Sequence, residues 1–143
     1  MFQNLTKNNI PNVDYHMHTV WTDGKNTSME MYSRSIEEGL DSILFSEHAR
    51  KTSTEWFLKF ADEIRSLPSS SCQALVGVET KITDFYGGLD STDTIIEACD
   101  FVMASVHRFP GEKSMSKMIS NIDKKEALKV ELKLSLGVLE NNK

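Results

Sequence analysis

The chain of 143 residues is long enough for one domain of ordinary size, and its 39% hydrophobic and 26% charged residues are typical of a folded soluble protein. The formal net charge of −5 argues against a general nucleic-acid or membrane-surface binder, because no positive field would attract phosphates. No run approaches the roughly 20 apolar residues that span a bilayer, and the polar N-terminus lacks a secretory signal, so we expect a cytoplasmic protein without a membrane partner.

Short apolar runs alternate along the chain with amphipathic stretches. The predicted strands are 13–19, 42–46, 74–79 and 100–107. The first predicted helix begins at the capping box of Thr27 and Glu30 and ends at Gly39. The later helices are predicted at 54–67, 92–98 and 123–139, and the last of them is apolar on more than one face.

This alternation predicts an α/β fold. Strands and helices at this spacing are typical of right-handed βαβ units that build a parallel sheet. Since one unit of a (β/α)8 barrel occupies roughly 30 residues, the chain has room for about four units, or half of such a barrel. We therefore expect one domain over residues 1–143 in the form of a partial (β/α) barrel.

All four histidines lie at the ends of predicted strands. His16 and His18 close the first strand, His48 follows the second and His107 closes the fourth. Glu79 closes the third strand. Because the carboxyl ends of parallel strands converge on one face of the fold, we expect these side chains to meet. Mixed histidine and carboxylate ligands suit zinc, manganese or iron.

Three other residues extend the predicted site. Asp14 lies one pleat below His16 and is better placed to orient a ligand histidine than to bind metal itself. Asp23, in the loop after the first strand, offers a hard oxygen ligand that can fold back over the site. Arg108 is placed to contact a substrate anion, although a salt bridge explains it equally well.

Each of these residues also has a simpler explanation. An H-x-H pattern alone is often a coincidence. His48 or His107 alone would more often cap a helix or accept an ordinary hydrogen bond, and Glu79 alone could belong to a buried ion pair. Their recurrence at four strand ends favours metal, because a buried carboxylate beside several histidines is costly without a cation.

The ordered motifs of the chain resemble those of the PHP (polymerase and histidinol phosphatase) domain family. The motifs are D-Y-H-M-H-T at 14–19, T-D-G at 22–24, S-E-H at 46–48, G-V-E at 77–79 and S-V-H at 105–107. The resemblance extends from Val13 over the rest of the chain. It implies a distorted barrel of the seven-unit type around a cluster of divalent ions, up to three of zinc, manganese or iron.

The resemblance also implies roles for individual residues. His16 and His18 would bind a first metal, Glu79 would bridge the first and second, and His107 would bind the second. Glu79 and His107 would thereby belong to the catalytic centre. There a metal-activated hydroxide would attack the phosphorus of a small phosphorylated substrate.

A third metal would be bound by Asp23 and His48. Members of the family continue past the last predicted helix with further strands and further ligands. We therefore expect that this chain is a C-terminally truncated barrel in which each metal lacks one ligand.

The resemblance favours a hydrolase that acts on a phosphomonoester, as the histidinol-phosphatase-like members do. Two alternatives stay open. One is a catalytically silent fragment that binds metal weakly or not at all, and the other is a nuclease module attached to a DNA polymerase, against which the acidic charge weighs. An unclosed sheet edge would also favour self-association.

Overall fold

A parallel sheet with its strands in sequence order is the centre of the fold. The computed structural model describes residues 10–106 and 124–141. Within these residues every neighbouring pair of strands is parallel, which confirms the predicted parallel sheet. The strands, in their order across the sheet, are β1 (Val13–Met17), β2 (Ser42–His48), β3 (Gln73–Lys81) and β4 (Phe101–Ser105).

Helices alternate with these strands. The helices are α1 (Ser28–Glu37), α2 (Thr54–Arg65), which a short 3-10 turn (Lys51–Ser53) precedes, α3 (Asp93–Glu97) and α4 (Lys124–Asn141). All predicted elements are present, and their ends differ from the predicted ones by no more than about two residues. In the described part of the chain, no helix is long and apolar enough to cross a membrane.

The sheet is curled, so that its two outer strands approach each other. The rings of Tyr15 on β1 and Phe101 on β4 stack with their centroids 5.7 Å apart. In a flat sheet, three strand spacings of about 4.8 Å would separate β1 from β4 by roughly 14 Å. The four strands therefore form a half-barrel, which confirms the predicted partial (β/α) barrel.

The hydrophobic core lies between the sheet and α2. Phe57, Phe60, Ala61 and Ile64 of α2 are at most 2% exposed and belong to one buried cluster with side chains of β2 and β3. Because they are spaced three and four residues apart, they form one buried stripe along the helix. Leu67 lies beyond the end of α2 and is partly buried against the same cluster.

Both ends of α1 are fixed by local chemistry that the sequence predicts. Thr27 Oγ1 accepts a hydrogen bond from the backbone N–H of Glu30 at 3.3 Å, and Glu30 Oε2 accepts one from the backbone N–H of Thr27 at 2.8 Å. After the helix, Gly39 has a φ of 71°, a left-handed conformation that glycine adopts without steric cost. These contacts confirm the predicted capping box and the end of the helix at Gly39.

The last helix, α4, packs on the loop that follows β3. A Cβ atom on Gly137 would come within 2.4 Å of the backbone oxygen of Phe85, and Lys133 Nζ lies 5.3 Å from the centroid of the Phe85 ring. Leu132 and Leu136 are 59% and 46% exposed. The described part of the protein therefore leaves some of the apolar side chains of α4 exposed.

The edges of the described sheet are β1 and β4. An edge strand presents backbone groups that can pair with another chain. Self-association through such an edge stays a prediction.

Replacing Phe57 by alanine is expected to lower the free energy of unfolding by about 3–5 kcal/mol, because the loss of a fully buried ring leaves a cavity. The neighbouring Leu58 is 39% exposed, so Leu58→Ala should cost less than about 1 kcal/mol. Urea denaturation followed by circular dichroism measures both values. Equal losses in the two variants would contradict the assignment of this core.

A pH dependence is expected from the capping box of α1. Hydrogen bonds from the backbone and side chain of Thr27 hold the pKa of Glu30 below its usual value of 4.5. A carboxyl group with a lowered folded-state pKa stabilises the fold above its unfolded pKa, and this stabilisation is lost as the pH falls through the folded-state pKa. The destabilisation caused by Glu30→Ala should therefore be present at neutral pH and shrink below pH 4.5. A pH series of urea denaturations tests this, and a destabilisation that stays constant down to acid pH would contradict it.

Candidate metal centre

The predicted ligands meet at the carboxyl edge of the sheet. His16 lies near the end of β1, and His18 follows directly after that strand. His48 is the last residue of β2, and its Cα pairs in register with that of Glu79 on β3. Residues in register on neighbouring strands point to the same face, so His48 and Glu79 lie side by side.

Three imidazole rings converge on one oxygen atom of Glu79. Glu79 Oε2 lies 3.0 Å from His16 Nε2, 3.3 Å from His18 Nε2 and 3.4 Å from His48 Nδ1. The Nε2 atoms of His16 and His18 are 3.1 Å apart. Residues that are separated by up to 63 positions in the sequence are therefore in direct contact.

The Glu79 side chain is only 8% exposed, whereas that of His16 is 54% exposed. Burial is the strongest influence on the pKa of Glu79 and raises it. Hydrogen bonds from Ser105 and His16, with the charges of the neighbouring histidines, act in the opposite direction and together hold the pKa below its usual value of 4.5. The cluster thus has a buried, readily ionised carboxylate on one side and an imidazole open to solvent on the other.

A second group of possible ligands is formed by the loop that follows β1. Asp23 Oδ2 lies 3.5 Å from His48 Nε2, and Asp23 Oδ1 lies 3.9 Å from His18 Nδ1. The rings of His18 and His48 stack with their centroids 4.3 Å apart. His18, Asp23 and His48 therefore form a cluster next to the one formed by His16, His18 and Glu79.

Both clusters have the chemistry of a metal site, and the first also has its spacing. Ligands around an ion at bond lengths of about 2.1 Å are separated by roughly 3.0–3.4 Å, which is the spacing of the donor atoms of His16, His18 and Glu79. His18 Nδ1 is buried and has no hydrogen-bond partner among the described residues. A buried nitrogen in this state is expected to interact with a bound group such as a metal ion. Imidazole and carboxylate donors together fit zinc, manganese or iron.

The two clusters share His18. A neutral imidazole has one nitrogen lone pair that can bind a metal, because the other nitrogen carries a proton. His18 Nε2 faces Glu79 and Nδ1 faces Asp23. His18 can therefore bind a metal in only one cluster at a time. If it binds in the first cluster, Asp23 and His48 are the ligands that remain in the second.

Asp14 contacts the main chain rather than an imidazole ring. Its Oδ1 accepts a hydrogen bond from the backbone N–H of His16 at 3.1 Å. It also lines a groove between β1 and α1 of about 600 Å³ together with Met17 and Met31. The contact fixes the backbone that carries His16. His107 and Arg108, a predicted ligand and a predicted anion contact, lie outside the described residues.

The predicted set of residues omits Glu47, which is fully buried. Glu47 Oε1 accepts a hydrogen bond from the backbone N–H of Thr19 at 2.6 Å, and Oε2 accepts one from the hydroxyl of Thr22. The sequence contains one signal for these contacts, because an acidic residue directly follows the predicted apolar strand 42–46. Because side chains alternate along a strand, Glu47 points to the opposite face from His48 and away from the ligand clusters.

Comparison with known proteins identifies the family. A model of the PHP domain matches residues 14–138, which is most of the chain. The chain belongs to the PHP domain family. The matched residues include those of both clusters described above.

The relatives of this PHP chain include proteins named probable phosphatases and a polymerase. A protein named "Probable phosphatase" from Acetivibrio thermocellus is 30% identical over 98 residues, which cover 66% of this chain and 41% of that protein. The "DNA polymerase/3'-5' exonuclease PolX" of Bacillus subtilis is 31% identical over 102 residues, which cover 66% of this chain and 18% of the polymerase. The chain therefore spans about two fifths of the phosphatase and less than a fifth of the polymerase.

Glu79→Gln is expected to weaken the binding of Mn²⁺ or Zn²⁺ by more than the roughly 10–100-fold that the loss of an outer-shell partner costs. The reason is that Glu79 supplies the oxygen on which three imidazoles converge. Glu55→Gln is the matched control, because Glu55 is 90% exposed and pairs only with Lys59 among the described residues. Isothermal titration calorimetry measures both affinities. Unchanged binding in Glu79→Gln would contradict a metal centre at this position.

Proposed function

We propose that this PHP domain is a metal-dependent phosphoesterase that hydrolyses a small phosphomonoester, in the manner of histidinol-phosphatase-like proteins. The observation that carries the proposal is the convergence of His16, His18 and His48 on the buried Glu79 at the carboxyl edge of the sheet. Family membership and the relatives that are named probable phosphatases support it. We also expect the protein to act in the cytoplasm.

The charges of the described ligands suit a phosphorylated substrate. Imidazole ligands are neutral when they bind metal, so Glu79 and Asp23 are the negative groups in the described clusters. Two divalent ions beside two carboxylates would have a net charge of about +2, which complements a phosphomonoester dianion. When bound, such ions supply Lewis-acid stabilisation of the phosphate oxygens and activation of water.

The residues of the chain have distinct tasks in this proposal. Glu79 and the histidines would hold the ions. His16 lies on the open side of the cluster, where its 54% exposure leaves room for a substrate to approach. Asp14 keeps His16 in place through the backbone.

A PHP domain without turnover is the second candidate. It is favoured by the sharing of His18 between the two clusters, which leaves Asp23 and His48 as a two-residue site among the described residues. In this case the domain would hold metal weakly. A nuclease module is the third candidate, and the relative named PolX supports it, whereas the net charge of −5 opposes binding to a polyanion.

Hydrolysis of an aryl phosphomonoester in the presence of Mn²⁺, Zn²⁺ or Fe²⁺ tests the proposal. We expect turnover that a chelator abolishes and that falls by at least about 100-fold in His16→Ala, because a direct ligand is lost. Glu55→Gln should retain full activity. Folded protein that shows no turnover with any of these ions would support the second candidate. Digestion of single-stranded DNA without monoesterase activity would support the third.

A further inference from the structure

Glu47 is an unusual residue for its position. It lies on β2 opposite Val78, on the helix side of the sheet, and it is 0% exposed in a strand whose residues 42–47 are all buried. A buried carboxyl group is costly unless hydrogen bonds compensate it. Both compensating bonds come from the loop between β1 and α1, through Thr19 and Thr22.

That loop is a tight turn that folds back on the end of β1. The backbone N–H groups of Thr22 and Gly24 both donate to the carbonyl oxygen of Thr19, at 3.1 and 2.9 Å. A Cβ atom on Gly24 would lie 2.1 Å from the backbone oxygen of His18, so only glycine allows this approach. Asp23 lies between Thr22 and Gly24 and reaches His18 and His48 from there.

We infer that Glu47 is a positioning residue that holds this loop so that Asp23 completes the metal site with His48. Glu47 fixes the loop at two points, the start of the turn at Thr19 and the residue directly before Asp23. Asp23 itself is 67% exposed, and its carboxylate makes long contacts of 3.5 and 3.9 Å with the two imidazoles and a weak contact of 3.4 Å with the hydroxyl of Thr22. The position of its carboxylate therefore depends on the backbone beneath it. The inference rests on the proposed metal centre but does not depend on which ester is hydrolysed.

Titration of the full chain with Mn²⁺ alone, followed by electron paramagnetic resonance and calorimetry, tests the inference. Asp23→Asn and His16→Ala first assign the two binding events to the two clusters. Glu47→Leu removes both bonds to the loop and leaves Thr22 in place, so it is the decisive variant. Thr22→Val removes one of these bonds without changing side-chain size, together with the 3.4 Å contact of the Thr22 hydroxyl with Asp23. We expect both variants to weaken the event that is sensitive to Asp23 by about 10–100-fold and to leave the event that is sensitive to His16 unchanged.

Two comparisons separate positioning from a general loss of stability. Glu47→Gln keeps an acceptor for the backbone N–H of Thr19 and can still bond to the hydroxyl of Thr22, so it should restore binding close to that of the wild type. Adding Thr22→Val to Asp23→Asn should cause no further loss, because both act on the same ligand. Urea denaturation of each variant checks that it is folded.

The possible outcomes are distinguishable. If the wild-type protein binds Mn²⁺ in two events and Thr22→Val and Glu47→Leu bind it with the same affinities, the positioning role of Glu47 is contradicted. The metal centre would not be affected by this result. Equal weakening of both events would likewise overturn the role, because it would indicate a structural effect. Wild-type protein that binds no Mn²⁺ would overturn both the metal centre and the positioning role.

Discussion

The parallel register between β2 and β3 is the constraint on which the site depends. It sets His48 beside Glu79 on the inner face of the sheet and leaves Val78 and Glu47 on the helix face. A shift of one residue would exchange these faces, so that Glu79 would enter the hydrophobic core against α2 and Val78 would take its place at the metal site. The burial of Ile43, Phe45 and Val76 against α2 therefore fixes the metal ligands as firmly as it fixes the core.

Two buried carboxyl groups in this fold serve different purposes. Glu79 has imidazole nitrogens around its oxygen, an arrangement that an ion can occupy. Glu47 has a backbone amide and a hydroxyl, which already satisfy it. A bound cation would stabilise the Glu79 carboxylate, whereas the Glu47 carboxylate is already stabilised by its hydrogen bonds. Burial alone thus does not distinguish a ligand from a structural anchor, whereas the donor or acceptor character of the neighbours does.

Much of this arrangement could be predicted from the sequence. The ligands at the strand ends follow from the rule that the carboxyl ends of parallel strands converge, and the structure brings His16, His18, Asp23, His48 and Glu79 together. The capping box at Thr27 and the buried stripe of α2 are local patterns that depend on helix geometry alone. Such features are predictable because their partners lie within a few residues or at a repeated spacing.

Other features could not be predicted, since they depend on the distance between elements rather than on any one element. The stacking of Tyr15 on Phe101 requires the curvature of all four strands. The sharing of His18 depends on which way its ring turns between Glu79 and Asp23, and no spacing encodes that rotation. The sequence likewise does not indicate that Asp14 contacts the backbone of His16 rather than an imidazole ring.

The ligands of the site are therefore held in place in two different ways. His16, His48 and Glu79 are carried by paired strands, whose positions the sheet determines. Asp23 is carried by a loop, and loops hold a side chain only as well as their anchors do. In an exposed loop of this kind, a carboxylate would sample many positions and bind an ion weakly. The hydrogen bonds of the buried Glu47 to Thr19 and Thr22 connect the loop to the sheet, so that the order of the strands extends to the ligand that the loop carries.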